Sequence, residues 1–279
     1  VLHRRGVWPI GRLFFAIPMG DRTCHGTTDT RTDNPDLGVT PDDRRFILDN
    51  INTRLDLPHP LSEDDVIAER CGVRPLVVDG ERGAGDGDFL SLSRRHVVEA
   101  NPSRRTMTIF GGKLTDCLNV GEEVCDAAAG QSVGLTSRTS WYGEPETPVR
   151  EAFVARAKTD GLDRLTAPGA GEPLSARLWR RYGRDAPDLG RRLASEPSSA
   201  QPVIEGTAYS RAELEFVAER EMVMTLEDFL RRRSKLALMI RHEILANSQG
   251  LREACRILFG DGASVAHREY FESHPRHGG

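Results

Sequence analysis

Lys113 stands directly after two glycines, Gly111 and Gly112, and before Leu114 and Thr115. That order suits a close approach of backbone to a ligand. Side chains at the two glycine positions would block either a left-handed backbone or the ligand itself. Thr106, Thr108, Ile109 and Phe110 lead into the glycines as a short β-branched and aromatic strand. Thr115 suits the N-cap of a following helix and Asp116 its first turn. Leu118, Val120, Val124 and Cys125 can then face a core. The start of such a helix offers unpaired backbone N–H groups to an anion or an electron-rich ring, and Lys113 adds a full positive charge. The plain alternative is a strand–glycine–helix connection with a solvated lysine.

Two arginines and a histidine carry further chemistry. Arg74 sits in Gly72–Leu76 (GVRPL), where Gly72 and Pro75 fix the backbone around it. A guanidinium among Val73, Pro75 and Leu76 needs an anionic partner, and its planar fork suits a carboxylate or a phosphate. A ligand and a structural Asp or Glu fit that requirement equally. Arg94 and His96 share one face of a strand expected over Leu92–Glu99. For His96 a satisfied sheet histidine is the simpler reading. Thr27, Thr28 and Asp29 can bind a ligand at a strand end or merely cap the chain.

The elements that must position these residues form an α+β pattern. Arg12–Pro18 and Thr23–Gly26 read as a hairpin in a mainly antiparallel sheet. Thr40–Leu55 reads as a helix, with Thr40 as N-cap, Pro41 in the first turn and Phe46, Ile47, Ile51 and Leu55 as its apolar stripe. Asp79–Asp88 is glycine-rich but acidic, the wrong charge for a phosphate cradle. Composition shifts after Ala129 toward Gly, Ser, Thr and Pro. We therefore expect three parts: a mixed domain over 1–129, a linker over 130–173 with a helix near Val149–Leu165, and an all-helical domain over 174–279. Ser210 with Glu213, and Thr225 with Asp228, are capping boxes within the last part. Arg231, Arg232, Arg233 and Lys235 form the one basic run, read as a solvated face with pairs such as Glu227–Arg231. His267, His274 and His277 fall in a segment expected to be a disordered tail.

Composition narrows the function classes. The 279 residues carry a net charge of -4, so no global basic field points to nucleic acid. No apolar run reaches the roughly 20 residues needed to span a bilayer. Five cysteines, Cys24, Cys71, Cys117, Cys125 and Cys255, are scattered without a CxxC pair and are expected as reduced thiols in a cytoplasmic protein. No metal site is expected.

The segments Phe14–Pro18 with Gly26–Thr30 (FFAIP, GTTDT), Gly72–Leu76 (GVRPL), Ser93–Glu99 (SRRHVVE) and Phe110–Thr115 (FGGKLT) occur in this order. In that order the chain up to about Asp126 resembles the later catalytic region of FAD-dependent glycerol-3-phosphate dehydrogenases. Ala218–Arg233 resembles that family's C-terminal helical domain. The resemblance implies the substrate-side sheet of an FAD-dependent oxidoreductase followed by the helical domain. It implies oxidation of glycerol 3-phosphate to dihydroxyacetone phosphate by hydride transfer to FAD, with quinone or oxygen as the electron acceptor. Arg74, Lys113 and Arg94 would hold the substrate, and Gly111, Gly112, Lys113, Leu114 and Thr115 would contact the cofactor. No catalytic base is identified. The family's GxGxxG fingerprint does not occur here, so this chain is expected to be the C-terminal portion of a longer enzyme. Peripheral contact with the inner face of a membrane and a homodimer are compatible with the resemblance. Where many members continue with threonine, tyrosine and arginine, this chain has Asp116, Cys117 and Leu118. Alternatives are a related flavin-dependent amine or hydroxy-acid oxidase, which would grip a carboxylate, and a noncatalytic helical interaction module.

Overall fold

The computed structural model describes residues 14–30, 32, 34, 36, 38–73, 96–131, 133, 134 and 145–274. Arg74 and Arg94, both expected in the substrate site, lie outside the described residues. So do the acidic glycine-rich loop and the first part of the strand expected over Leu92–Glu99. The architecture is α+β: two small antiparallel sheets and a helical C-terminal region. Two compact units form. One takes its described residues from Val1–Phe15, His25–Asp56 and Arg70–Ser140, the other from Ala16–Cys24, Leu57–Glu69 and Trp141–Gly279.

Strands β1 (Phe15–Met19) and β2 (Arg22–Gly26) form the expected hairpin. Strands β3 (His96–Asn101) and β4 (Thr106–Gly111) form a second one. Among the described residues the hairpins do not pair with each other, so the single antiparallel sheet expected from the sequence is two separate two-stranded ones. The β3–β4 turn is closed by Asn101, whose Oδ1 accepts from Ser103 Oγ at 2.8 Å and from the Arg104 N–H at 3.1 Å. This side-chain turn sets the register His96 opposite Gly111 and Val97 opposite Phe110.

Helix α1 (Pro41–Arg54) begins as its sequence dictates. Thr40 Oγ1 accepts from the Asp43 N–H at 3.2 Å, and the Asp43 carboxylate accepts from the Thr40 N–H at 3.1 Å. Those Thr40 bonds, with one from the Thr28 hydroxyl, hold the Asp43 carboxyl below its ordinary range. Thr28 is thereby tied to the start of a helix, in line with a capping role. Of the expected stripe, Ile51 is buried and Phe46 is exposed.

The second unit is built from α3 (Thr147–Thr159), α4 (Leu174–Tyr182), α5 (Ala186–Ser195), α6 (Arg211–Arg220), α7 (His242–Asn247), α8 (Gln249–Phe259) and α9 (Ala263–Ser273). One apolar cluster gathers Phe153, Leu162, Leu178, Leu189, Leu193 and Phe216; the other gathers Leu214, Val217, Phe229, Leu230, Leu251 and Tyr270. Close packing fixes one glycine. A Cβ on Gly250 would lie 2.1 Å from the Val203 carbonyl oxygen, so only glycine lets α8 begin here. The Gly250 N–H donates to Glu205 Oε1 at 2.8 Å, and the Leu251 N–H to Ser248 Oγ at 2.8 Å. Residues 263–273 form a helix rather than the expected disordered tail, because His267 and Tyr270 are buried on its inner face.

Candidate functional site

The expected turn is where β4 runs into a helical segment. Gly111 and Gly112 adopt φ of +64° and +93°, the left-handed region that side-chain-bearing residues avoid. Residues 111–115 are all exposed. A 3-10 turn spans Leu114–Asp116 and continues directly into helix α2 (Cys117–Gly130). Lys113, not Thr115, occupies the position before the first turn. Asp116 stands at the N-cap of α2 but its side chain makes no capping bond, being engaged with His96 and Asn119. Leu118, Val120 and Val124 are half-buried and Cys125 is exposed, so the apolar face expected to enter a core is only partly covered. The hairpin beside it also presents apolar surface: Ile109 is 49% exposed, Phe110 43% and Leu114 90%.

Asp116 is gripped from two sides. Its Oδ2 lies 2.7 Å from His96 Nδ1, and its Oδ1 accepts from Asn119 Nδ2 at 2.6 Å. His96 Nε2 lies 3.0 Å from Glu123 Oε2. The His96 side chain is only 10% exposed. Of the satisfied sheet histidine expected from the sequence, Nδ1 has its hydrogen bond to Asp116, while Nε2 lies near Glu123 without an aligned hydrogen bond. Its pKa is raised above 6.5, first by the Asp116 hydrogen bond and next by Glu123, against an opposing cost of burial. The Asp116 carboxyl is held below its ordinary range, first by Asn119 and then by His96. The residue's Cβ also backs the turn: a Cβ on Gly112 would lie 3.1 Å from His96 Cβ.

Lys113 is thus placed beside Leu114, Thr115 and the first N–H groups of the helical segment. Such groups lack intrahelical acceptors by construction and, with a lysine, make an anion-favouring edge. The Asp116 and Glu123 partnership with His96 was missed from sequence. Its signal was present in the spacing: residues 116 and 123 are seven apart and so share a helix face. What the sequence could not supply was the β3–β4 register that carries His96 to that face.

Residues 148–256 match the family model of the C-terminal domain of alpha-glycerophosphate oxidase. The chain is 30% identical over 244 residues to the mitochondrial glycerol-3-phosphate dehydrogenase of Arabidopsis thaliana, covering 82% of this chain and 37% of the relative. It is 30% identical over 267 residues to glycerol-3-phosphate dehydrogenase 2 of Mycobacterium tuberculosis, covering 92% of this chain and 43% of the relative. The chain belongs to the glycerol-3-phosphate dehydrogenase family. It is 29% identical over 244 residues to glycerol-3-phosphate dehydrogenase 1 of the same bacterium, with 83% of this chain and 43% of the relative covered. The chain spans about two-fifths of the length of these relatives. The family-model match lies in the helical unit, whereas the Gly111–Thr115 turn lies in the other.

Proposed function

We propose that this chain serves an FAD-dependent oxidation of glycerol 3-phosphate to dihydroxyacetone phosphate, with its mixed unit forming part of the substrate-side sheet. The observation that carries the reading is the exposed Gly111–Thr115 turn, which brings positive-φ glycines, Lys113 and a helical start together. The named relatives supply the reaction class.

The residues present fit a flavin edge. Backbone N–H groups at Leu114 and Thr115 suit the electron-rich pyrimidine side, and the glycines leave room for close approach. FAD, when bound, would supply the hydride acceptor. Lys113 would hold the substrate phosphate together with Arg74 and Arg94, and so orient the C2 hydrogen toward the flavin. The exposed Phe110 and Leu114 side chains would exclude water from that contact once covered. A phosphate, rather than the carboxylate of an amine or hydroxy acid, would suit Arg74 acting together with Lys113. Quinone or oxygen would take the electrons onward. Attachment at the inner face of a membrane would be peripheral; no helix among the described residues is long and apolar enough to cross one.

The test is turnover of the flavin-loaded enzyme with glycerol 3-phosphate and with glycerol, for wild type, Arg74→Lys and Lys113→Ala. Arg74→Lys should keep flavin content and lose about 2 kcal/mol or more of kcat/KM for the phosphorylated substrate. Lys113→Ala should lower both turnover and flavin content. Equal loss for glycerol and glycerol 3-phosphate would show that Arg74 is a structural ion-pair residue and would remove the phosphate assignment.

A further inference from the structure

We propose that His96, carried as an imidazolium, is a positioning residue that holds the Gly111–Thr115 turn against the flavin edge, a role that rests on the flavin reading above. A neutral imidazole has one N–H donor and one lone pair. Here a carboxylate oxygen faces each ring nitrogen, Asp116 at 2.7 Å and Glu123 at 3.0 Å. Nδ1 is hydrogen-bonded to Asp116, whereas Glu123 meets Nε2 as an ion-pair contact without hydrogen-bond alignment, and two carboxylates this close favour the doubly protonated ring.

The ring joins three pieces of structure. It rises from the first residue of β3 and lies opposite Gly111 across the hairpin. The Cβ that carries it packs behind Gly112, and the ring reaches the residue before α2 and, about two turns later, Glu123. The strand end, the turn and the helix start are therefore fixed by one side chain. The charges matter as much as the geometry. Asp116 puts a negative charge at the end of a helix that should welcome an anion. His96 as a cation offsets Asp116 and Glu123, and Lys113 acts on Asp116 from the turn. Without the His96 proton, an anionic ring or phosphate at the turn would meet two carboxylates and one lysine.

The sign follows. The folded-state pKa of His96 lies above its ordinary 6.5, so its contribution is fully present below pH 6.5 and is lost as pH rises through the folded value. Turn order and anion affinity should both fall toward alkaline pH.

The experiment is an NMR pH titration of the 279-residue chain, with wild type, His96→Gln, Asp116→Asn and Glu123→Gln. We expect the His96 ring to titrate above 6.5, and the Gly112 and Lys113 amide resonances to share its midpoint. Asp116→Asn should lower that midpoint by about one pH unit or more. His96→Gln should abolish the amide titration. If that variant does not fold, Asp116→Asn and Glu123→Gln carry the same test through the midpoint. A ring that titrates at or below 6.5, or amide shifts that persist in His96→Gln, would overturn the proposal. FAD added to the same samples separates the two readings. Binding seen at the Gly111–Thr115 amides, about fivefold or more weaker at alkaline than at mildly acid pH in wild type alone, supports both. Binding at those amides with identical pH dependence in His96→Gln sinks the positioning role and leaves the flavin reading. A proton-linked turn whose amides ignore bound FAD sinks the flavin reading and the positioning role with it.

Discussion

Glu213 is fully buried at the start of α6 and collects two positive charges from α4. Its Oε2 accepts from Arg177 at 2.7 Å and from Ser210 Oγ at 2.9 Å; its Oε1 accepts from Arg181 at 2.8 Å and from the Tyr182 hydroxyl at 3.3 Å. The Arg181 guanidinium also lies 4.1 Å from the centre of the Tyr209 ring. A capping-box glutamate has thus become the counter-ion of two arginines, one of them, Arg177, only 3% exposed. Breaking a buried pair on one side leaves the other charge uncompensated, which costs more than the pair itself contributes. Glu213→Gln keeps the shape and the capping acceptor but strands both guanidinium groups. It should lower unfolding free energy by about 3 kcal/mol or more, measured by urea denaturation. A loss under about 1 kcal/mol, the value of an ordinary surface pair, would show that water already screens the cluster.

Elements whose instructions are local were legible in the sequence. Thr40 with Asp43 and Ser210 with Glu213 start helices where they were expected to, and Thr225 with Asp228 closes the expected box. Each needs only residues three apart. The same holds for the glycine turn, which requires a backbone that Gly111 and Gly112 alone adopt freely. Elements set by distant packing were not legible. The basic run lies in a π-helical turn, Asp228–Arg233, whose wider spacing brings residue i+5 above residue i. Glu227 therefore pairs with Arg232 at 3.1 Å, one residue beyond the expected Arg231. Helix α9 was hidden for another reason: its polar residues conceal the His267, Tyr270 and Phe271 side that packs inward. His267 rests against the Phe271 ring, centroid to centroid 4.7 Å, and burial lowers its pKa below 6.5. A lowered histidine contributes stability that is fully present above pH 6.5 and is lost as pH falls toward the folded value. Protection of α9 amides from hydrogen exchange should drop on mild acidification in wild type. In His267→Phe, which keeps the ring packing and removes the proton site, it should stay level. An equal drop in both proteins would assign the acid response to another group.

At the scale of the whole helical unit, α6 decides whether two cores behave as one. Ala212 and Phe216 belong to the cluster of α3, α4 and α5, while Leu214 and Val217 belong to the cluster of α8 and α9. Successive residues of one helix thus face opposite ways, and both faces are buried. Tyr182 packs against both clusters and meets Phe216 edge-on, with ring centres 5.1 Å apart. Neither cluster can lose α6 without the other losing a wall, and Glu213 ties the same helix to α4. The unit should therefore unfold in one cooperative step. Trp179 fluorescence reports the first cluster, because that ring stacks on Phe153 at 5.7 Å. Hydrogen exchange of α8 amides reports the second. The two probes should give the same unfolding free energy in wild type, and Phe216→Ala should lower both by the same amount, about 3 kcal/mol or more. If Phe216→Ala moves the Trp179 transition and leaves α8 exchange where it was, the clusters are independent folding units and α6 is a boundary rather than a shared wall.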